Sequence, residues 1–338
     1  MKALPWHRAI LARTIADRPR LPHAILVHGA AGIGKTEFAR AAAAGVLCES
    51  PRDGLACGAC VSCHWFSQGN HPDYREIVPE ASADSDGDEE VQGGRSEKAK
   101  SVVIKIDQIR AVADFVALTT HRDGFRVLLI HPAEALAPAA ANALLKTLEE
   151  PPARTFIILV SDRPARLLAT LRSRCRPLPL TAPPRDQALA WLREQGIEQP
   201  EAALDAAGGA PLLAMELATP AEIQLRERVL AALAKPGGAD ALQLAAGVDR
   251  ASLERFIHWM QTWVHDLARM RLAGDARHHS GHLAALKARA RSCDLPALFD
   301  LDRELATARA LAAHPLNARL LAEHLLMTYN RASLATKP

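Results

Sequence analysis

Short apolar runs bounded by turn-forming residues mark the first half of the chain. Three of them contain four or five consecutive apolar residues, which is the pattern of a strand buried on both faces: AILVH at 24–28, RVLLI at 126–130 and TFIILV at 155–160. Segments of helical periodicity alternate with these runs, at 36–48, 106–118 and 139–150. Strands that alternate with helices predict a parallel sheet in a three-layered α/β fold.

The second half of the chain shows helical periodicity only. A last strand is predicted near 175–180, after which Pro183 and Pro184 mark a boundary. Beyond it, the pair Gly208-Gly209 and the turn Pro236-Gly237-Gly238 separate a small helical unit from a bundle of about 100 residues, the usual size of a domain. We therefore expect three domains: an α/β domain at 1–180, a small helical domain at 181–220 and an all-α domain at 221–338.

Composition adds limits to this picture. Hydrophobic residues make up 49% and charged residues 23% of the chain, as in ordinary globular proteins. A net charge of +3 does not by itself indicate a nucleic-acid binder. No apolar run is long enough for a membrane span, so we expect a cytoplasmic protein without membrane contact. The segment 79–101 is acidic, poor in apolar residues and predicted as an exposed loop without assigned function.

A phosphate-binding motif lies between the first predicted strand and the helix that follows it. The segment GAAGIGKT at 29–36 matches G-x-x-x-x-G-K-[ST] at every fixed position. Gly29, Gly32 and Gly34 allow backbone N–H groups to surround phosphates, Lys35 would neutralise their charge and Thr36 would hold Mg²⁺. The motif predicts a site for ATP or ADP with Mg²⁺, and the alternative is a relic that no longer binds nucleotide.

Binding does not imply hydrolysis, because hydrolysis needs an acid that supports Mg²⁺ and a group that orients water. Those groups belong after the strand RVLLI, where this chain reads His131-Pro132-Ala133-Glu134. Proline cannot act as a base and a neutral imidazole is a poor ligand for Mg²⁺. We therefore expect no ATPase activity from this chain, unless Glu134 is displaced along the turn and takes the role.

Four of the six cysteines fall within sixteen residues. Cys48, Cys57, Cys60 and Cys63 form the pattern C-x8-C-x2-C-x2-C, which lets four thiolates converge on one ion. Four protein ligands leave no open position, so the pattern predicts a structural zinc site. An iron–sulfur cluster and four reduced cysteines are the alternatives. His64 is expected to be a surface neighbour, and the isolated Cys175 and Cys293 are expected to be buried without chemistry.

The segment ATLRSRCRPL at 169–178 carries Arg172, Arg174 and Arg176 at alternating positions. A basic turn in solvent is the simpler interpretation of these residues. The alternative is an arginine offered to ATP on an adjacent subunit, because a guanidinium stabilises a transferring phosphoryl group.

The combined motifs resemble the bacterial clamp-loader family of AAA+ proteins, and within it the delta-prime subunits of DNA polymerase III. The resemblance covers at least 20–218 and rests on motifs in a fixed order: the phosphate loop, the four cysteines, HPDY at 71–74, NALLKTLEEPP at 142–152 and LLATLRSRC at 167–175. The C-terminal bundle fits by length and helicity only. The resemblance implies an AAA+ module, a helical lid at 181–220 and a helical collar at 221–338.

The same resemblance implies roles for particular residues. Arg174 matches the arginine finger that serves the neighbouring ATPase subunit, and Ser161 matches the polar sensor position. Where ATPase members carry a second sensor arginine, this chain has Leu212 and Leu213. The implied partners are the gamma or tau and delta subunits in a pentameric ring, the sliding clamp and primed DNA. The implied function is that of a stator in DNA replication, with no polymerase site of its own.

Two other functions remain open from the residues. The chain could be an active ATPase subunit of the same loader, against which His131-Pro132 argues. It could also be a freestanding zinc-binding nucleotide sensor, for which the long helical C-terminal region would need another purpose.

Overall fold

A computed structural model describes residues 3–82, 101–117, 124–235, 240–312 and 316–333. The chain divides into two compact units, Met1–Pro183 and Pro184–Pro338. Most of the loop predicted at 79–101 lies outside the described residues, and so does the turn predicted at Pro236-Gly237-Gly238.

The first unit combines a parallel sheet with helices, as predicted. Its strands are β1 (Ala24–His28), β2 (Tyr74–Ile77), β3 (Arg126–Ile130), β4 (Thr155–Ser161) and β5 (Arg176–Pro179). Its helices are α1 (Arg8–Ile15), α2 (Lys35–Leu47), α3 (Val61–Ser67), α4 (Ile106–Ala117), α5 (Pro138–Glu149) and α6 (Ala169–Arg174). Helix α1 lies before β1, the first predicted strand, so α2 is the second helix of the chain. The four-cysteine segment follows α2.

The five strands lie in the order β2-β3-β4-β1-β5, and every neighbouring pair is parallel. The inner strands β3 and β4 are buried along their whole length, which explains their continuous apolar sequences. The outer strand β5 contains Pro177 and Pro179, residues that sheets accept at an edge because they cannot donate a ladder hydrogen bond. The opposite edge strand β2 was not predicted.

Alternate residues of the strands face two layers of helices. Leu26, Leu128 and Ile157 pack with residues of α4 and α5 in one core cluster. Helix α2 contacts β1, β3 and β4, and none of its residues belongs to that cluster, so it covers the opposite face. Two helical layers around a central sheet confirm the three-layered fold, and they leave the carboxyl ends of β1 and β4 side by side.

The second unit is helical throughout its described residues. Its helices are α7 (Arg185–Glu194), α8 (Pro200–Ala206), α9 (Pro211–Leu217), α10 (Pro220–Ala234), α11 (Ala241–Ala245), α12 (Leu253–Leu272), α13 (Leu283–Ser292), α14 (Leu295–Leu311) and α15 (Ala318–Ser333). The all-helical second half was predicted, whereas the division into domains at 181–220 and 221–338 stays a prediction.

Helix α12 forms the centre of the helical unit and contacts α10, α13, α14 and α15. Its side chains Trp259 and Trp263 are fully buried. The indole Nε1 of Trp263 donates to the hydroxyl of Tyr329 at 3.0 Å, and that hydroxyl donates to the backbone oxygen of Leu233 at 2.7 Å. The polar atoms of the Trp263 and Tyr329 side chains are thereby hydrogen-bonded inside the core.

Among the described helices, none has the length and apolar character that a bilayer crossing requires.

Candidate nucleotide site and metal centre

The phosphate-binding motif forms a glycine-rich turn between β1 and α2. Gly32 and Gly34 adopt left-handed φ values of 72° and 91°, and Gly34 caps the helix. A Cβ on Gly29 would lie 2.2 Å from the backbone oxygen of Leu180, so a side chain has no room at this position. The turn and the N-terminal end of α2 thus have the backbone geometry that phosphate binding needs.

Lys35 is only 4% exposed and is held by two oxygens of its own chain. Its Nζ donates to the backbone oxygen of Ala30 and forms an ion pair with Oδ1 of Asp162 at 2.6 Å. Asp162 follows β4, which pairs with β1, so the carboxyl ends of neighbouring strands bring the two residues together. Asp162 was not predicted as a site residue, because the sequence pattern does not show that β4 pairs with β1.

Ser161 ends β4 opposite His28 and is fully buried. Its Oγ accepts a hydrogen bond from the backbone N–H of Arg163 at 3.1 Å. The predicted sensor hydroxyl therefore lies next to Asp162 in the chain and at the same edge of the sheet as the phosphate loop.

Two aromatic residues support the loop from the N-terminal segment. The indole Nε1 of Trp6 donates to the backbone oxygen of Ile33 at 3.0 Å, and His7 packs edge-on against Phe38. His7 is buried, and neither ring nitrogen has a hydrogen-bond partner among the described residues. Burial and the nearby charge of Lys35 lower the pKa of His7 to about 4, so the ring is neutral at pH 7. Neither residue was predicted to belong to the site.

The turn after β3 holds His131 in place of the expected acid, and its ring contacts an acid from another strand. Nε2 of His131 lies 2.6 Å from Oε1 of Glu76, which also pairs with Nη2 of Arg40 at 2.6 Å. The hydroxyl of Tyr74 donates to Oε2 of Glu76 at 2.7 Å. Burial alone would raise the pKa of Glu76, but these three hydrogen bonds outweigh it and lower the pKa to about 2.

Glu134 lies in a short 3₁₀ turn (Ala133–Ala135) after β3. Its Oε1 accepts the backbone N–H of Asp162 at 3.0 Å, while Oε2 is buried without a hydrogen-bond partner among the described residues. Through Asp162, this acid is connected to Lys35. It is therefore the carboxylate of the turn that could support a metal ion beside the loop.

The predicted arginine finger lies at the last residue of α6. Nη1 of Arg174 donates to the backbone oxygen of Thr170 at 3.0 Å, and Nη2 pairs with Oε1 of Glu149 at 2.6 Å. The side chain of Arg174 is about one-third exposed (34%), whereas Arg172 and Arg176 are exposed residues. Arg174 is thus the arginine of this turn that an acid of its own chain orients.

The four predicted metal ligands converge on one point. The sulfurs of Cys48, Cys57, Cys60 and Cys63 all lie within 4.8 Å of one another, with Cys48 to Cys60 at 3.9 Å and Cys57 to Cys63 at 4.0 Å. Tetrahedral zinc–sulfur bonds of about 2.3 Å put ligand sulfurs about 3.8 Å apart. The cluster can therefore bind a zinc ion with little movement.

Backbone N–H groups and burial change the pKa values of the cysteine thiols in this cluster. Backbone N–H groups of Ala59 and Cys60 lower the pKa of Cys57 to about 6, whereas burial raises the pKa of Cys63 to about 12. Backbone N–H groups of Cys57, Cys60 and Cys63 also point at sulfurs of the cluster at 3.2–3.4 Å. Such contacts favour thiolates, which are the form that binds a metal.

The cysteine module is attached to the α/β unit at two points. Nη2 of Arg18 donates to the backbone oxygens of Gly45 and Cys48, at 2.5 and 2.8 Å. On the other side, Nε2 of His71 donates to the hydroxyl of Ser62 at 2.8 Å, because Nδ1 accepts the backbone N–H of Asp73. The HPDY segment therefore links α3 to the start of β2, a role that was not predicted from the sequence.

Comparison with known proteins places these features in one family. The family profile described as "DNA polymerase III, delta subunit" matches residues 8–184. The DNA polymerase III subunit delta-prime of Pseudomonas aeruginosa PAO1 is 34% identical over 80% of this chain and 79% of its own length. The chain belongs to the delta-prime family of DNA polymerase III clamp-loader subunits.

Other members of the delta-prime family extend the match along the chain. The Escherichia coli K12 subunit delta-prime is 33% identical over 92% of this chain and 86% of its own length. The E. coli subunit tau, a more distant relative, is 34% identical over 46% of this chain and 21% of its own length. A crystal structure of a gamma subunit-related protein from Thermotoga maritima covers 97% of this chain and 99% of its own, at 16% identity and a TM-score of 0.42.

Proposed function

We propose that this delta-prime subunit is a stator, which donates Arg174 to ATP on a neighbouring loader subunit and does not hydrolyse ATP itself. The observation that carries the proposal is the ion pair between Arg174 and Glu149 at the end of α6. A guanidinium that is one-third exposed and held by one acid can exchange that acid for a phosphate, with which it forms strong bidentate hydrogen bonds.

The chain's own nucleotide site supports the stator role. Glycines and Lys35 suit phosphates, and Ser161 and Thr36 complete a site for ATP or ADP with Mg²⁺. However, His131 stands where an acid should support Mg²⁺, and the nearby Glu76 is already engaged by three hydrogen bonds. Such a site can bind nucleotide, whereas the group that activates water is absent from the expected position.

The four-cysteine module acts as a structural zinc centre in this proposal. Four sulfurs at tetrahedral spacing exclude substrate from the metal, so zinc contributes rigidity and not catalysis. Zinc that is lost when the four cysteines are replaced, and no iron, is the expected result of metal analysis of the purified protein. One equivalent of iron would contradict the assignment.

The partners follow from the family. The relatives include tau subunits of DNA polymerase III, so we infer a ring that contains gamma or tau and delta subunits. Within it, the chain would help to open the sliding clamp and place it on primed DNA, in the cytoplasm. Contact with the primed DNA would be indirect or through the DNA backbone, and the small net charge of +3 gives only weak support to backbone contacts.

The decisive experiment is Arg174→Ala in a reconstituted loader. Arginine fingers contribute about 10³–10⁵ to the rate at the site they serve, so we expect clamp loading to fall by at least about tenfold while the ring still assembles. Arg172→Ala and Arg176→Ala are matched controls from the same turn and should load clamps at the normal rate. Equal losses in all three variants would indicate a general basic surface and refute the finger.

One observation favours a second candidate, a slow ATPase. Oε2 of Glu134 is buried without a partner among the described residues, close to the phosphate loop, where it could support Mg²⁺. Phosphate release by the isolated chain separates the two functions. The stator predicts nucleotide binding without turnover, whereas turnover that Glu134→Gln and Lys35→Ala both abolish would establish the ATPase.

A further inference from the structure

A second group of metal-ligand side chains lies in the helical unit, apart from the four cysteines. His265 and Asp266 are neighbours in the last two turns of α12, and His278 lies in the loop that follows this helix. One candidate ligand atom of each residue lies within 4.8 Å of those of the other two. Neither the nucleotide site nor the proposed stator function uses these side chains.

Asp266 is fully buried and is held by backbone groups of the loop. Its Oδ1 accepts the N–H of Arg277 at 2.8 Å, and its Oδ2 accepts the N–H groups of His278 and His279 at 2.9 and 2.8 Å. A carboxylate offers about four lone-pair positions, so these three bonds leave one on Oδ1. The three backbone hydrogen bonds thus fix the orientation of the carboxylate, and the remaining lone pair on Oδ1 can bind a metal ion.

His278 has one ring nitrogen without a hydrogen-bond partner. Its Nδ1 is buried and unpaired among the described residues, and the backbone carbonyl of Asp205 interacts with the ring. A carbonyl accepts an N–H, so in the proposed site Nε2 would donate to Asp205 and Nδ1 would offer its lone pair to the metal. Metal-binding histidines typically have this arrangement, in which a backbone carbonyl fixes the tautomer and the ring orientation.

His265 provides the third donor and access from solvent. Its Nδ1 lies 3.9 Å from Oδ1 of Asp266, and its ring centroid lies 5.4 Å from that of His278. Because its side chain is half-exposed, His265 can adjust its position at little cost. Ligand atoms around a tetrahedral zinc ion lie about 3.3 Å apart, so the three side chains need to close by no more than about 1.5 Å.

We propose that His265, Asp266 and His278 bind a divalent transition metal ion, with Zn²⁺ as the fitting occupant. Two imidazole nitrogens and one carboxylate oxygen form a donor set that suits zinc, nickel and copper and disfavours calcium and magnesium. Three protein ligands leave a fourth position to water or to a group of another molecule. The bound ion would attach the loop after α12 to the end of that helix.

The backbone hydrogen bonds to Asp266 account for the folding of the loop but not for the rest of the group. They explain why an acid is buried at this position, since three N–H groups compensate its charge. They do not compensate Nδ1 of His278, which is buried without a partner among the described residues and therefore carries a free-energy cost. A metal ion removes that cost.

The test is a zinc-binding measurement on the full chain in which the cysteine centre is counted separately. After zinc addition and removal of the excess, elemental analysis should find about two equivalents in the wild type, one per centre. His265→Gln and His278→Gln should each retain about one equivalent, which is the cysteine centre. The matched control His282→Gln, from the same histidine-rich segment, should retain both.

Cobalt substitution gives a second readout that does not depend on the count. A Cys57→Ser and Cys63→Ser double variant lacks the cysteine centre. Co²⁺ bound to this variant by His265, Asp266 and His278 should show the weak visible bands of nitrogen and oxygen ligation without thiolate charge transfer. Addition of His278→Gln should abolish these bands while far-UV circular dichroism stays unchanged. One zinc equivalent in the wild type, or equal loss in His282→Gln, would overturn the proposal.

Discussion

Asp162→Asn tests whether the chain restrains its own phosphate loop. The 2.6 Å ion pair with Oδ1 of Asp162 uses one of the three donors of the Lys35 ammonium and offsets its charge, so this carboxylate competes with a phosphate for Lys35. The substitution keeps the size of the side chain and the backbone N–H that bonds Glu134, and it removes only the negative charge. The predicted result is tighter binding of ADP and ATP.

The burial of Lys35 and Asp162 determines how strongly loss of their ion pair should raise nucleotide affinity. The Lys35 side chain is 4% exposed and that of Asp162 is 43% exposed, so solvent screens the pair only from one side. Exposed ion pairs contribute about 0–1 kcal/mol and hydrogen bonds to charged groups about 1.5–3 kcal/mol. An intermediate value of about 1–2 kcal/mol corresponds to an increase in nucleotide affinity of about 5–30-fold.

The assay is a calorimetric or fluorescent-nucleotide titration of the isolated chain, with and without Mg²⁺. Asp107→Asn is the matched control, because it removes the same charge from an exposed position on α4 in the same unit. Lys35→Ala should abolish binding in either background. An unchanged or weaker affinity in Asp162→Asn would refute the argument that this carboxylate competes with phosphate.

Three further predictions follow from contacts described above. The pKa of Glu76 lies at about 2 in the folded chain and near 4.5 when unfolded, so its contribution of up to about 3 kcal/mol is present above pH 4.5 and lost as the pH falls towards 2. Urea unfolding at pH 7 and pH 3 should show this loss in the wild type and a smaller loss in Glu76→Gln. Zinc chelation should speed proteolysis at 48–63, since a structural zinc site contributes about 10 kcal/mol or more, and added zinc should reverse the effect. Tyr329→Phe should lower the unfolding free energy by about 1–3 kcal/mol, because it leaves two buried groups unpaired, whereas Tyr74→Phe should cost less.

The strands that could be predicted are those whose apolar pattern is complete within one short segment of the sequence. AILVH, RVLLI and TFIILV are buried on both faces, so each run is apolar throughout and identifies its strand. The strand β2 escaped prediction because Arg75 and Glu76 interrupt its apolar pattern at the edge of the sheet. Its place became clear only through its pairing with β3.

The same distinction applies to the site. The phosphate loop and the four cysteines are contiguous motifs, so their residue types and spacing predicted their convergence. The pair between Lys35 and Asp162 joins residues 127 positions apart, and Glu76 meets His131 across two strands. Such contacts depend on strand order, which no local pattern specifies. For the same reason, the alternating arginines did not indicate that Glu149 holds Arg174 alone among the three.

The contact between Gly29 and Leu180 has a mechanical consequence. The Cα of Gly29 lies so close to the carbonyl of Leu180 that not even a methyl group fits, and Leu180 also donates its N–H to the backbone oxygen of His28 at 2.8 Å. Leu180 comes three residues before the last residue of the α/β unit. The phosphate loop therefore cannot shift towards Leu180 at Gly29 unless the backbone near the end of the α/β unit shifts with it.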